Sequence, residues 1–135
     1  MLEFEAAIDA AGRLAAEDCP PLDLPDEWTA EHLLLAAVVR CSLTSLRYHA
    51  RRIGVEARGG GTVSGTVTKR ESDERYAFVE IALDLDVALE PAQPDQTLPE
   101  LLAKAERDCF IAASLVLKPV YTWRVNGVTV RAAPS

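Results

Sequence analysis

Cys41 and Cys109 are the side chains of this chain best suited to nucleophilic or redox chemistry, and each stands in a strongly helical stretch, within residues 29–41 and 105–110. A buried cysteine is most often a small inert hydrophobe, because reactivity demands a stabilised thiolate. Peroxide reduction sets a stricter requirement. It needs a thiolate to attack the O–O bond, a cation to hold that thiolate, and a second thiol to resolve the sulfenic acid before it oxidises further. Two thiols on separate helices are the minimum for such a pair. The third cysteine, Cys19, sits beside Pro20 and Pro21 and reads as a free surface thiol. His32, His49, Trp28 and Trp123 are assigned to packing or to the surface.

Composition narrows the alternatives. The 135 residues form one expected domain, 1–135, and 49% hydrophobic with 26% charged residues is a globular composition with enough apolar side chains for a core. A net charge of −7 argues against nucleic acid or an anionic membrane as partner, since both require a concentrated basic surface. The first residues lack the basic region and apolar run of a signal peptide, so a cytoplasmic, reducing compartment without structural disulfides is expected. The longest apolar run, residues 33–39, is far short of the roughly 20 residues that span a bilayer. Three cysteines without CxxC spacing, and only two histidines, leave a structural zinc site little to build on.

The elements that must position the thiols follow from periodicity and caps. Residues 2–8 and 14–17 read as a hairpin turning at Gly12-Arg13, followed by an extended proline loop. Thr29 is a good N-cap, residues 30–53 contain no Gly or Pro, and Gly54 falls where a left-handed residue ends a helix. Residues 33–39 are apolar on every face, so this central helix should be covered from several sides. Gly59, Gly60 and Gly61 read as a flexible lead into a strand at 62–68. In residues 77–89 the odd positions Ala77, Val79, Ile81, Leu83, Leu85, Val87 and Leu89 are apolar, which predicts a second strand with one packed face. Thr97 and Glu100 suggest a capping box for a second helix running to about Val116. Residues 120–125 are a last strand, and Asn126-Gly127 turns it back on residues 128–131. The order is that of an α+β fold with a mainly antiparallel sheet.

The arrangement resembles the OsmC/Ohr family of organic hydroperoxide reductases over most of the chain. Glu31 stands ten residues before Cys41, as a glutamate stands before the family's peroxidatic cysteine, and Gly12-Arg13 matches the short Gly-Arg turn that supplies the family's arginine. Cys109 corresponds to the resolving cysteine. The resemblance implies an intertwined homodimer with interfacial sites, in which Cys41 is the nucleophile, Cys109 the resolver, and Arg13 and Glu31 the activating pair. It implies no metal, flavin or nicotinamide cofactor. The reductant would be a dithiol such as a lipoylated protein. Ten helical residues rise ~15 Å, so Glu31 cannot reach Cys41 of its own chain and a shared site would draw it from the second subunit.

Three departures from the family pattern stand out. Ala30 replaces a proline after the cap. Arg40 replaces a small residue beside Cys41, where with Arg47 and Arg51 it forms a basic stripe facing solvent or a partner. Phe110, Ile111 and Ala112 follow Cys109 where proline and serine are usual. Val38, Val39, Phe110, Ile111 and Ala113 surround both thiols with apolar groups suited to alkyl or fatty-acid hydroperoxides. Two other readings remain open: a catalytically altered dimer that binds an apolar small molecule at its interface, and a structural domain with inert buried thiols.

Overall fold

The computed structural model describes residues 1–134, which fall into two compact units, Met1–Leu33 and the remainder from Leu34. In the first, β1 (Ala6–Ile8) and β2 (Leu14–Ala16) pair antiparallel with Ile8 opposite Leu14. The strands are shorter than residues 2–8 and 14–17. The turn between them is set by Asp9, whose carboxylate accepts the backbone N–H groups of Ala11 and Arg13 at 2.9 Å each. Gly12, at φ +88°, supplies the left-handed residue this turn requires. Arg13 is therefore held at the entry to β2.

Helix α1 (Ala30–Arg52) begins as expected at Thr29, but its cap has an unforeseen partner. The Thr29 hydroxyl accepts from the His32 backbone at 3.3 Å, and His32 Nδ1 accepts the Thr29 N–H at 3.1 Å. Histidine thus takes the reciprocal role that Glu or Gln usually fills. At the other end Gly54 adopts φ +75°, and the Val55 N–H reaches back to the Ala50 carbonyl at 2.9 Å, closing the helix as its glycine predicted.

The three glycines correct the sequence reading. Strand β3 runs Glu56–Lys69 and includes Gly59, Gly60 and Gly61, paired with Val87, Asp86 and Leu85 of β4 (Tyr76–Glu90). A Cβ on Gly59 or Gly61 would collide with the carbonyl of Asp86 or Asp84. Glycine here permits close strand approach and does not loosen the chain.

In β4 the residues Ile81, Leu83, Leu85, Val87 and Leu89 are buried as the alternation predicted. The alternation fails at Val79, which is 41% exposed, because the register shifts between Thr66 and Val67. That bulge lets two residues of β4 oppose one of β3 and turns Phe78 toward the core.

Helix α2 (Leu98–Arg107) and a short α3 (Phe110–Ala113) cross over from β4 to β5 (Val120–Val125), which therefore lies parallel to β4. β6 (Val128–Val130) returns antiparallel after Asn126 and Gly127, both at positive φ, so the turn falls where it was read. The sheet order β3-β4-β5-β6 has one parallel and two antiparallel pairings. Val38 and Leu46 of α1, Leu102 of α2, Leu85 of β4 and Trp123 of β5 meet in its core. Among the described residues no helix is long and apolar enough to cross a membrane.

Candidate functional site

Cys109 does not lie inside the second helix. The predicted helix to Val116 stops at Arg107, Asp108 turns the backbone to φ −97° and ψ 14°, and Cys109 becomes the extended N-cap of α3. An aspartate at a helix C-terminus opposes the helix dipole, and here its carboxylate accepts instead from Arg107 at 2.9 Å and His49 Nε2 at 2.8 Å. His49, assigned from sequence to packing or to the surface, thereby ties α1 to the residue before Cys109. At the start of α2 Thr97 donates its hydroxyl to the Pro94 carbonyl at 2.7 Å and makes no side-chain cap. The capping box with Glu100 does not form.

The break matters because it brings the start of α3 against α1. Cys41 is partly exposed on α1 and Cys109 is fully buried; both are free thiols. Ser42, the residue after Cys41, lies 3.6 Å from the Cys109 sulfur, so the two thiol-bearing segments meet, and Cys109 with the Ile111 and Phe110 amides bears on the ionisation of Cys41. Burial pushes the Cys41 thiol above its ordinary value, the Ile111 amide works against that, and the adjoining Cys109 adds to the rise. Among the described residues of this unit no cation contributes to lowering the Cys41 thiol.

Around Cys109 lies a polar cluster that the sequence reading did not find. The Ala112 N–H approaches its sulfur at 3.5 Å, and Ser42 Oγ lies 3.6 Å away. Ser42, fully buried one residue after Cys41, contacts the Tyr121 hydroxyl at 2.8 Å. Burial drives the Tyr121 phenol upward, so it stays protonated. Tyr121 stacks on Trp123 at 5.6 Å and 4°, and the Trp123 indole donates to Glu106 at 2.9 Å. Ser42 precedes Tyr121 by 79 positions, which is why no local pattern linked them.

In the first unit, Arg13 makes a two-pronged ion pair with Asp23, at 2.9 Å from both Nε and Nη2. That pair uses two of the guanidinium's five N–H groups and leaves the others free to donate. Glu31 occupies the first turn of α1, where its own backbone amide, then Thr29, lower its carboxyl below the usual range. Arg13 and Glu31 are not paired with each other within the chain.

A family model described as OsmC-like protein matches residues 23–124. The chain belongs to that family. Glu31, Cys41 and Cys109 fall inside the matched region, and Arg13 precedes it. No curated protein matches the sequence. Among solved structures, an OsmC-like protein of unknown function from Vibrio cholerae aligns with TM-score 0.76 at 14% identity, over 91% of this chain and 99% of its own. The organic hydroperoxide resistance protein OhrB of Bacillus subtilis aligns with TM-score 0.58 at 16% identity, over 93% and 98%. The organic hydroperoxide resistance protein OsmC from Legionella pneumophila gives TM-score 0.59 at 17%, over 93% and 97%. These likenesses establish the OsmC-like fold.

Two features of this OsmC-like chain bear on access and stability. Tyr121 and Ala112 line a cavity of about 640 Å³ whose wall also carries Glu106, Lys118 and Arg131; neither Cys41 nor Cys109 lines it. Among the described residues no cluster of three or more His, Cys, Asp or Glu side chains could hold a metal ion.

Asp108 links acid stability to the helix break. Arg107 first, and His49 after it, hold its carboxyl at about 2, below the ordinary 3.8. A carboxyl depressed on folding stabilises the native state above its unfolded value, and that contribution is lost as pH falls from 3.8 toward 2. We expect the urea midpoint of the wild type to fall across that window. Asp108→Asn should start lower at pH 7 and change less. Parallel urea curves for both proteins across the window would remove the link.

Proposed function

We propose that this protein is a thiol-dependent reductase of organic hydroperoxides, acting as an intertwined homodimer in a reducing cytoplasm. The observation that carries the reading is the approach of Cys109, at the start of α3, to the Cys41 segment of α1, where Ser42 Oγ lies 3.6 Å from the Cys109 sulfur and His49 holds Asp108 at 2.8 Å. In the first step the Cys41 thiolate attacks the terminal peroxide oxygen and the O–O bond breaks. The alkoxide takes a proton and leaves as alcohol, and Cys41 becomes a sulfenic acid. Cys109 then attacks the Cys41 sulfur, an S–S bond forms, and the S–OH oxygen leaves as water. A dithiol reductant, such as a lipoylated protein, restores both thiols and is itself oxidised to a disulfide.

Arg13 supplies the cation, paired with Glu31 of the second subunit. The need for it follows from the upward push on the Cys41 thiol described above. Leu33, Leu34, Leu35, Ala36 and Ala37 remain only partly buried in one chain, consistent with an apolar helix surface that a second copy covers.

The apolar residues beside the thiols select the substrate. Burying on the order of 100 Å² of alkyl chain at ~25 cal/mol per Å² gives roughly 2.5 kcal/mol, or ~70-fold if the contact persists in the transition state. Phe110 is 62% exposed next to Cys109, so part of that contact surface is reachable. Stopped-flow measurement of Cys41 oxidation should therefore show cumene hydroperoxide at least about tenfold faster than hydrogen peroxide. Equal rates, or no reaction with either, would favour the apolar-ligand-binding reading.

A further inference from the structure

Ser42 has one hydroxyl hydrogen and three polar neighbours. Its Oγ lies 2.8 Å from the Val38 carbonyl, 2.8 Å from the Tyr121 hydroxyl and 3.6 Å from Cys109 Sγ. A carbonyl can only accept, so in the resting state the Ser42 hydrogen goes to Val38, the usual back-bond of a helical serine. The Tyr121 phenol, held protonated, then donates to Ser42, and the Cys109 sulfur, which the Ser42 hydroxyl can also reach, is left without that hydrogen.

That arrangement suits a thiol and not a thiolate. We infer that Ser42 is a positioning residue for Cys109, a hydroxyl rotor that turns from the Val38 carbonyl to the Cys109 sulfur when that thiol loses its proton, with Tyr121 steadying it. As a thiolate, Cys109 would then accept from Ser42 and from the Ala112 N–H. Cys109 is fully buried, so these donors replace the water that would otherwise solvate its charge. The inference deepens the peroxidase reading, for which Cys109 is the resolver, but it concerns the attack of Cys109 on any activated Cys41 sulfur.

The test therefore avoids peroxide. In a Cys19→Ser background, the aromatic disulfide DTNB is attacked by the Cys41 thiolate, which forms a mixed disulfide and releases one nitrothiobenzoate. Cys109 then attacks the Cys41 sulfur, the new S–S bond forms, and a second nitrothiobenzoate leaves with the bonding electrons. We expect Ser42→Ala to slow the second release at least about tenfold relative to the first and to move its pH midpoint upward. Tyr121→Phe should do the same more weakly, and Ser42→Thr, which keeps the hydroxyl, should restore the wild-type ratio. A merely structural role would not move the pH midpoint.

Unchanged ratios and midpoints in both Ser42→Ala and Tyr121→Phe would overturn the inference, as would a Cys19→Ser protein that releases only one nitrothiobenzoate. Two releases from a protein whose Cys41 no hydroperoxide oxidises would leave the inference standing and remove the peroxidase reading.

Discussion

Replacing Cys41 with serine should abolish hydroperoxide consumption, with a loss of at least about 10³-fold, because a serine hydroxyl neither ionises near neutral pH nor reacts through a polarizable sulfur. The same variant tests whether the site is shared. Glu31→Gln should be impaired in both sites of a dimer, and Cys41→Ser inactive in both. In a mixed dimer that draws Glu31 across the interface, the surviving Cys41 meets the native Glu31 of its partner. Random re-assembly of equal amounts should then return about a quarter of wild-type activity, since half the dimers are mixed and each holds one intact site. Activity no higher than the mean of the two parents would mean that Glu31 serves Cys41 of its own chain or neither. A monomer by light scattering would end the shared-site account outright.

Arg13→Ala should carry the next largest effect. Burial and the neighbouring Cys109 hold the Cys41 thiol above its ordinary value near 9, so without a cation very little thiolate exists at neutral pH. A charge-assisted hydrogen bond is worth roughly 1.5 to 3 kcal/mol, which predicts Cys41 oxidation ~10- to 150-fold slower at pH 7. The deficit should shrink at alkaline pH above the ordinary thiol value of 9, as the raised Cys41 thiol begins to ionise unaided. Arg13→Lys, which keeps the charge but loses the planar fork, should fall between the two. The check is the pH profile of the stopped-flow rate. A uniform loss at every pH would assign Arg13 to folding or substrate binding and not to the thiolate.

Much of the frame was legible in local pattern. The uninterrupted run after Thr29, the alternation through β4 and the Asn126-Gly127 turn each specify their element through short-range geometry. What the sequence did not show are events between distant segments. Gly59, Gly60 and Gly61 look like a loop until Asp84 and Asp86 of the neighbouring strand occupy the space their side chains would need. Val79 fits the alternation, yet a bulge in pairing turns it outward. The break at Asp108 has no Gly or Pro to announce it, and becomes intelligible once His49 of α1 is seen to hold the carboxylate.

The candidate site divides the same way. Cys41 and Cys109 could be singled out by residue type, and family resemblance suggested their roles. Asp23, which holds Arg13, and the Ser42 and Tyr121 hydroxyls beside Cys109 belong to no motif, because only tertiary contact brings them there.

The most direct measurement of the central claim is peptide mapping by mass spectrometry after one equivalent of cumene hydroperoxide. The reading predicts a Cys41–Cys109 disulfide in the wild type, and in Cys109→Ser a Cys41 that proceeds to sulfinic acid after about one turnover. A wild type that consumes the peroxide without forming that disulfide, together with a Cys109→Ser variant that turns over normally, would contradict it.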